Sequence, residues 1–293
     1  MRQCANVKMS KCENKNASWA VVTGASSGIG LRYARALARD YQYNVLLVSN
    51  QEKELATAAQ DISSQFGVQT DTLYMNLAEQ TAAEQVHQFC KDKQLDVEVL
   101  VNNAGILIFN PFCKTDPRKI ETLVMLHVLT MTKLCRLFAE DMVNREPIVQ
   151  RQTTNDKRLQ KNAKGFILNM SSMSAWMAMP GIQCYNASKG YVLNFSKALW
   201  YELRGHGVRV LAVTPGSTDT GLLPFGETFA KVLRFFGITM PPVKLVNRAL
   251  KVLFFRRKKT CMPGAWNYII VPIINHLPDW LVLWAMKRLP IDW

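Results

Sequence analysis

The chain has 293 residues, 48% of them apolar and 20% charged, a balance that describes a globular protein and excludes a disordered one. Its net charge of +14 (36 basic, 22 acidic) points to an anionic partner: a phosphorylated cofactor, an acyl carrier, a membrane surface or nucleic acid. A generally basic, well-solvated surface accounts for the same number.

Residues 1–17 contain no apolar signal-type run and read as a polar tail. WAVVTG (19–24) is a short apolar, β-branched run ending in glycine, the pattern of a buried strand. Helical periodicity follows over 29–41, a second strand over 44–50 and a second helix over 53–66. The alternation continues with a strand at 70–77, a helix at 81–93 and a strand at 97–105. A long helix spans 119–143, and a polar segment, 144–165, separates it from a strand at 165–172. That segment carries six basic and two acidic side chains and reads as a solvated surface insertion. A helix at 185–207 and a strand at 208–216 complete the series. Such alternation implies right-handed βαβ crossovers: an α/β, Rossmann-like, doubly wound parallel sheet in three αβα layers. These sheets bind ligands at the carboxyl ends of their strands, where TG, NNAG, SS and PG all fall.

TGASSGIG (23–30) joins the first strand to the first helix. Gly24 suits the tight turn, Gly28 lets a diphosphate approach the backbone, and Gly30 lets helix and strand pack closely. The helix N-terminus adds free N–H groups and a positive dipole end. No lysine follows Gly30, so the turn is not a Walker loop. In CYNASKG (184–190), Tyr185 and Lys189 stand at i and i+4 and share a helix face. An ammonium there favours a phenolate and brings the phenol toward acid–base work near neutral pH.

These features, with Asn102 to Gly105, Ser172, Pro215 and Gly216, resemble the classical short-chain dehydrogenase/reductase family over about residues 18–220. The family's serine stands thirteen residues before its tyrosine, and 185 − 13 = 172. The resemblance implies an NAD(P)(H)-dependent oxidoreductase interconverting a ketone and a secondary alcohol. Tyr185 would be the general acid or base, Ser172 would hydrogen-bond the substrate oxygen, and Lys189 would also hold the nicotinamide ribose. Spacing alone leaves Ser171 and Ser174 open beside Ser172. The resemblance further implies cofactor contacts from Ser26, Ser27 and Ile29 with the three glycines, and from Asn50, Asn76 and Leu77. Asn103, Ala104, Gly105, Pro215, Gly216, Thr218 and Thr220 complete that set.

Three positions depart from the family. His127 stands where an asparagine usually joins the lysine's proton relay; it reads either as a relay member or as a satisfied core histidine. Asn76 replaces the acidic residue that meets the adenine. The second strand ends in Ser49 and Asn50, with no carboxylate for a ribose 2′-hydroxyl and no arginine for a 2′-phosphate. Asn50, Ser26 and Arg32 would then serve, and the preference is NADP(H), with NAD as the alternative.

Residues 221–242 occupy the family's substrate lid, where Leu222, Leu223, Phe225, Phe229, Phe235 and Phe236 either line an apolar pocket or form a helix's buried face. The pocket reading implies a lipophilic substrate, a steroid or a long-chain acyl thioester, and the alternative activity is a 3-ketoacyl thioester reductase. The rival class is a catalytically silent dinucleotide-binding protein. Residues 18–264 form the catalytic domain, and 265–293 an apolar extension holding Trp266, Trp280, Trp284 and Trp293. Behind the basic FFRRKK (254–259), that extension reads as a membrane-surface helix broken at Pro272 and Pro278, or as packing on the core or on a second subunit in a homo-oligomer. Basic residues are not organised on a nucleic-acid module, so nucleic acid is not an expected partner. Seven scattered cysteines without a CxxC pair argue against a disulfide framework or metal site and for a reducing, cytoplasmic setting, with membrane association as the addition.

Overall fold

Seven strands pair in the order β3-β2-β1-β4-β5-β6-β7, every pair parallel. They are β1 (Trp19–Thr23), β2 (Asn44–Ser49), β3 (Thr70–Tyr74), β4 (Val97–Asn102), β5 (Gly165–Met170), β6 (Val208–Val213) and the two-residue β7 (Thr260–Cys261). The computed structural model describes residues 18–148, 162–216, 240–264 and 267–287. The expected polar tail (1–17), most of the insertion and of the lid, Thr218, Thr220, Trp266 and Trp293 lie outside the described residues.

Strand alternation sorts the core into two layers. Ala20, Val22, Val45, Leu47, Val99, Val101, Leu168 and Leu211 face one way and pack against α1 (Gly28–Tyr41), α2 (Glu52–Phe66) and α7 (Pro242–Phe255). Val21, Leu46, Val48, Leu100, Ile167 and Val210 face the other way, against α3 (Ala82–Asp92), α5 (Met131–Asn144) and α6 (Gln183–Leu203). β4 and β5 are also joined through the core by amides, Asn102 Nδ2 donating to Asn169 Oδ1 at 2.9 Å. Asn169 Nδ2 donates in turn to Ser196 Oγ on α6 at 2.9 Å.

The long helix of the sequence reading runs unbroken from Pro117 to Asn144, with a π turn inside it. Pro117 opens α4 (Pro117–Val124), capped by Asp116, whose carboxylate accepts from the Arg118 N–H. Met125–Thr130 then takes a π-helical turn before α5 begins. The run from Pro117 to Asn144 is long and apolar enough to cross a membrane by length and composition. Its buried side chains, among them Leu123, Leu134, Phe138 and Met142, fit a core helix equally well.

After β6, α7 buries Leu245, Val246, Ala249, Leu250, Leu253 and Phe254, and the chain adds β7 at the sheet edge. Phe254 meets Tyr41 at 4.5 Å and Phe166 at 4.7 Å between ring centroids, which closes that layer. Two further helices follow, α8 (Asn267–Asn275) and α9 (Asp279–Met286). Pro272 sits inside α8 rather than breaking it, while Pro278 does precede the start of α9.

Candidate active site

The carboxyl ends of β1, β2, β4, β5 and β6 open on a cavity of about 570 Å³. The glycine turn enters it from β1, with Gly24, Ser26, Ser27, Gly28 and Ile29 on the wall. Gly28 has φ +57° and nothing within 4 Å of where a Cβ would stand, a concave backbone that a diphosphate can approach. Helix α1 begins there, so its first N–H groups have no intrahelical acceptor. Gly30 does not line the cavity. A Cβ on it would lie 2.0 Å from the Gly24 carbonyl oxygen, so it serves the close packing of helix on turn.

Thr23 holds the neighbouring loop. Its Oγ1 accepts from the backbone N–H of Asn103 at 3.0 Å and of Ala104 at 3.1 Å. Asn103 Nδ2 donates back to the Thr23 carbonyl at 3.0 Å. Asn103, Ala104 and Gly105 are thereby presented on the cavity wall, whereas Asn102 faces the core. Asn50, Asn76, Leu77, Pro215 and Gly216 also line it.

At the tip of β2, Ser26 Oγ lies 2.9 Å from Ser49 Oγ and donates to Gln51 Oε1 at 2.6 Å. Gln51, on the cavity wall, is absent from the sequence-derived set. With its oxygen occupied by Ser26, its amide nitrogen is left as a donor. Arg32 is exposed on α1 and does not line the cavity, so the rim around Ser26, Ser49, Asn50 and Gln51 is neutral.

β5 and α6 bring the three chemical groups together. Lys189, 5% exposed, donates from Nζ to the Met170 carbonyl at 2.9 Å. Ser171 Oγ donates to the Lys189 carbonyl at 2.7 Å and is committed to the helix backbone. Ser174 is buried and off the cavity wall. Ser171 and Ser172 both line the cavity, and it is Ser172 that hydrogen-bonds Tyr185; its Oγ also accepts from the Ser174 N–H at 3.1 Å.

The electrostatics differ from the sequence expectation. Burial raises the Tyr185 phenol above its ordinary value, and the Ser172 hydroxyl pulls the other way without reversing it. Lys189 Nζ lies 5.5 Å from the Tyr185 ring centroid, and the net shift of the phenol is upward. Burial lowers Lys189 itself to about 8, which leaves it largely charged at neutral pH.

His127 lies behind this group, within the π turn and off the main cavity wall. Its Nε2 accepts from the Ile106 N–H at 3.0 Å, and its Nδ1 is 2.9 Å from Ser188 Oγ. Ser188 Oγ donates to the Tyr185 carbonyl at 2.8 Å, so it accepts from His127. A backbone N–H can only donate, so Nε2 carries no proton and Nδ1 does. The ring is neutral, its pKa held well below the usual value by burial and then by Lys189. These contacts tie the 103–106 loop to α6 and are those of the core-histidine reading. Thr23 and Ser188 lie within TGASSGIG and CYNASKG without a role that the motif itself assigns, and Gln51 lies in neither. Their roles come from which side chain each strand tip and helix turn presents.

Asn267 on α8 is 2% exposed, and its amide packs at Gly216, where a Cβ would lie 2.7 Å from its Oδ1. The segment after residue 264 therefore begins against the cavity loop. α8 also packs on the short 3₁₀ turn Met173–Trp176 that follows Ser172.

A short chain dehydrogenase model matches residues 18–225. The chain is 32% identical to a very-long-chain 3-oxoacyl-CoA reductase of Phaeosphaeria nodorum over 67% of its own length and 53% of that relative. It thus spans about half the length of that curated relative. It is 27% identical to the human inactive hydroxysteroid dehydrogenase-like protein 1 over 92% of this chain and 76% of that one. Among solved structures, a short-chain dehydrogenase from Sphingobium yanoikuyae in complex with NADPH is 25% identical, with a TM-score of 0.68 over 94% of this chain and 98% of that one.

The His127 geometry has a readout in nitrogen NMR. The ring is expected to be the Nδ1–H tautomer and to stay neutral as the pH falls through the ordinary histidine value of about 6.5. The unfolded chain binds that proton below about 6.5 and the folded chain does not, so stability falls as the pH drops through that range. A ring that titrates near 6.5 contradicts the assignment.

Proposed function

The chain belongs to the short-chain dehydrogenase family, and on that premise we propose an NADPH-dependent reductase that converts a ketone on a long apolar substrate, a 3-oxoacyl thioester foremost, into a secondary alcohol. The observation that carries this reading is the convergence of Ser172, Tyr185 and Lys189 on the wall of the cavity that the glycine turn enters. Bound NADPH supplies the hydride. Ser172 hydrogen-bonds the ketone oxygen, and Tyr185 gives that oxygen its proton as negative charge develops there. A phenol raised by burial stays protonated at neutral pH, the state a proton donor requires. Lys189, held by the Met170 carbonyl, would bind the ribose hydroxyls and keep a positive charge near Tyr185.

For the cofactor, the β2 tip supports NADPH. A carboxylate there would repel a 2′-phosphate, and among the described lining residues the rim offers hydroxyls and amides instead. The NADPH complex of the Sphingobium relative accords with this. A long acyl substrate accords with the name of the fungal relative and with the apolar side chains near the 3₁₀ turn. The human relative's name favours a second reading, a silent dinucleotide-binding protein. Against it, this chain retains the serine, tyrosine and lysine together.

Tyr185→Phe removes the proton donor and little else. It is expected to reduce NADPH oxidation with a long-chain 3-oxoacyl-CoA by about a hundred- to ten-thousandfold, with the NADPH dissociation constant little changed. Equal turnover in the variant refutes the mechanism; NADPH binding by wild type without turnover of acyl or steroid ketones supports the silent reading.

The second expectation concerns location. α8 and α9 expose Tyr268, Ile269, Ile273, Trp280, Leu283 and Trp284, an aromatic and aliphatic surface that fits the interfacial layer of a bilayer. Substrate would then enter from the lipid. Flotation with phosphatidylcholine vesicles is expected to recover the wild-type chain and to lose Ile269→Glu/Trp280→Glu. Equal recovery of both, or of neither, removes the membrane contact.

A further inference from the structure

A second concavity, of about 680 Å³, lies at the other end of the sheet, around the amino ends of β5 and β6. β5 is six residues long, which puts about 20 Å between this basin and Ser172. Lys164, Arg204, Arg209, Arg256, Arg257 and Lys258 line it, and no carboxylate does among the described residues. The proposed reductase uses none of them.

Two features separate the basin from an ordinary basic surface. Its cations are fixed from different elements: Lys164 Nζ donates to the Val143 carbonyl at 3.0 Å, and Arg204 stacks on the Trp200 ring at 5.0 Å. Arg209, the second residue of β6, has its Nη1 buried with no hydrogen-bond partner. A buried guanidinium nitrogen without an acceptor is costly, and like charges around it add to the cost. Burial first and Arg257 second pull the Arg209 pKa down to about 10.

We propose that this basin binds a phosphate-bearing anion, with Arg209 as its inner donor and Arg204, Arg256 and Arg257 around the rim. Guanidinium groups match phosphate oxygens in pairs, and a ligand with more than one phosphate would engage several of them together. The same chemistry is met by a soluble polyphosphate and by the headgroup of an anionic lipid.

The test titrates the full chain with inorganic pyrophosphate, with and without saturating NADPH. Phosphatidylcholine vesicles with and without phosphatidic acid form a parallel arm. Wild type is expected to bind pyrophosphate in the presence of NADPH, and Arg209→Gln to weaken it about tenfold or more. Arg204→Glu/Arg256→Glu, at exposed positions, is expected to abolish it without changing NADPH affinity or melting temperature. Extra vesicle binding conferred by phosphatidic acid and lost in these variants identifies a lipid headgroup. Pyrophosphate binding without that increment identifies a soluble anion; either supports the site. Binding that NADPH displaces belongs to the glycine turn and overturns the proposal. So does failure of wild type to bind either probe, or binding unchanged in both variants.

Discussion

The Lys189 ammonium, buried between α6 and the end of β5, hydrogen-bonds the Met170 carbonyl, and Ser171 returns a bond to the Lys189 carbonyl. These two contacts lock a helix to a strand tip. Everything chemical at the site follows from that lock, because Ser172 comes two residues after Met170 and Tyr185 one turn before Lys189 on the same helix. The lock has a cost, since desolvation alone pulls the lysine down to about 8. A side chain with no other task would not be kept charged in such a place, which is the physical reason to read it as part of a site.

The same burial that disfavours the ammonium also disfavours the phenolate. Tyr185 is thus favoured as the protonated phenol, with Ser172 and Lys189 beside it. His127 supports this arrangement with both ring nitrogens engaged, Nε2 by the Ile106 N–H and Nδ1 by Ser188. The π turn that houses it is the local adjustment that lets the ring reach Ile106 and Ser188 at once.

Much of this was legible from the residues alone. Alternating apolar runs gave the strand order along the chain, and glycine and serine positions at strand ends marked the cavity rim. Tyr185 and Lys189 could be paired from helical spacing without any structure. What escaped did so for identifiable reasons. The π turn at 125–130 leaves the apolar pattern of a regular helix almost untouched. Gln51 became a rim residue because Ser26 orients it across the β1–β2 junction, a contact between segments 25 residues apart. Asn267 meets Gly216 only after α7 and β7 have carried the chain back to the cavity. Sequence spacing also reveals the ammonium beside the phenol but not the burial that raises the phenol.

The state of one phenol tests the central claim most directly. A pH titration of tyrosinate absorbance, wild type minus Tyr185→Phe, isolates this side chain in the folded protein. The account expects its ionisation above the ordinary value of about 10. A difference curve that completes near pH 7 would contradict it, because Tyr185 would then already have lost the proton it is proposed to deliver.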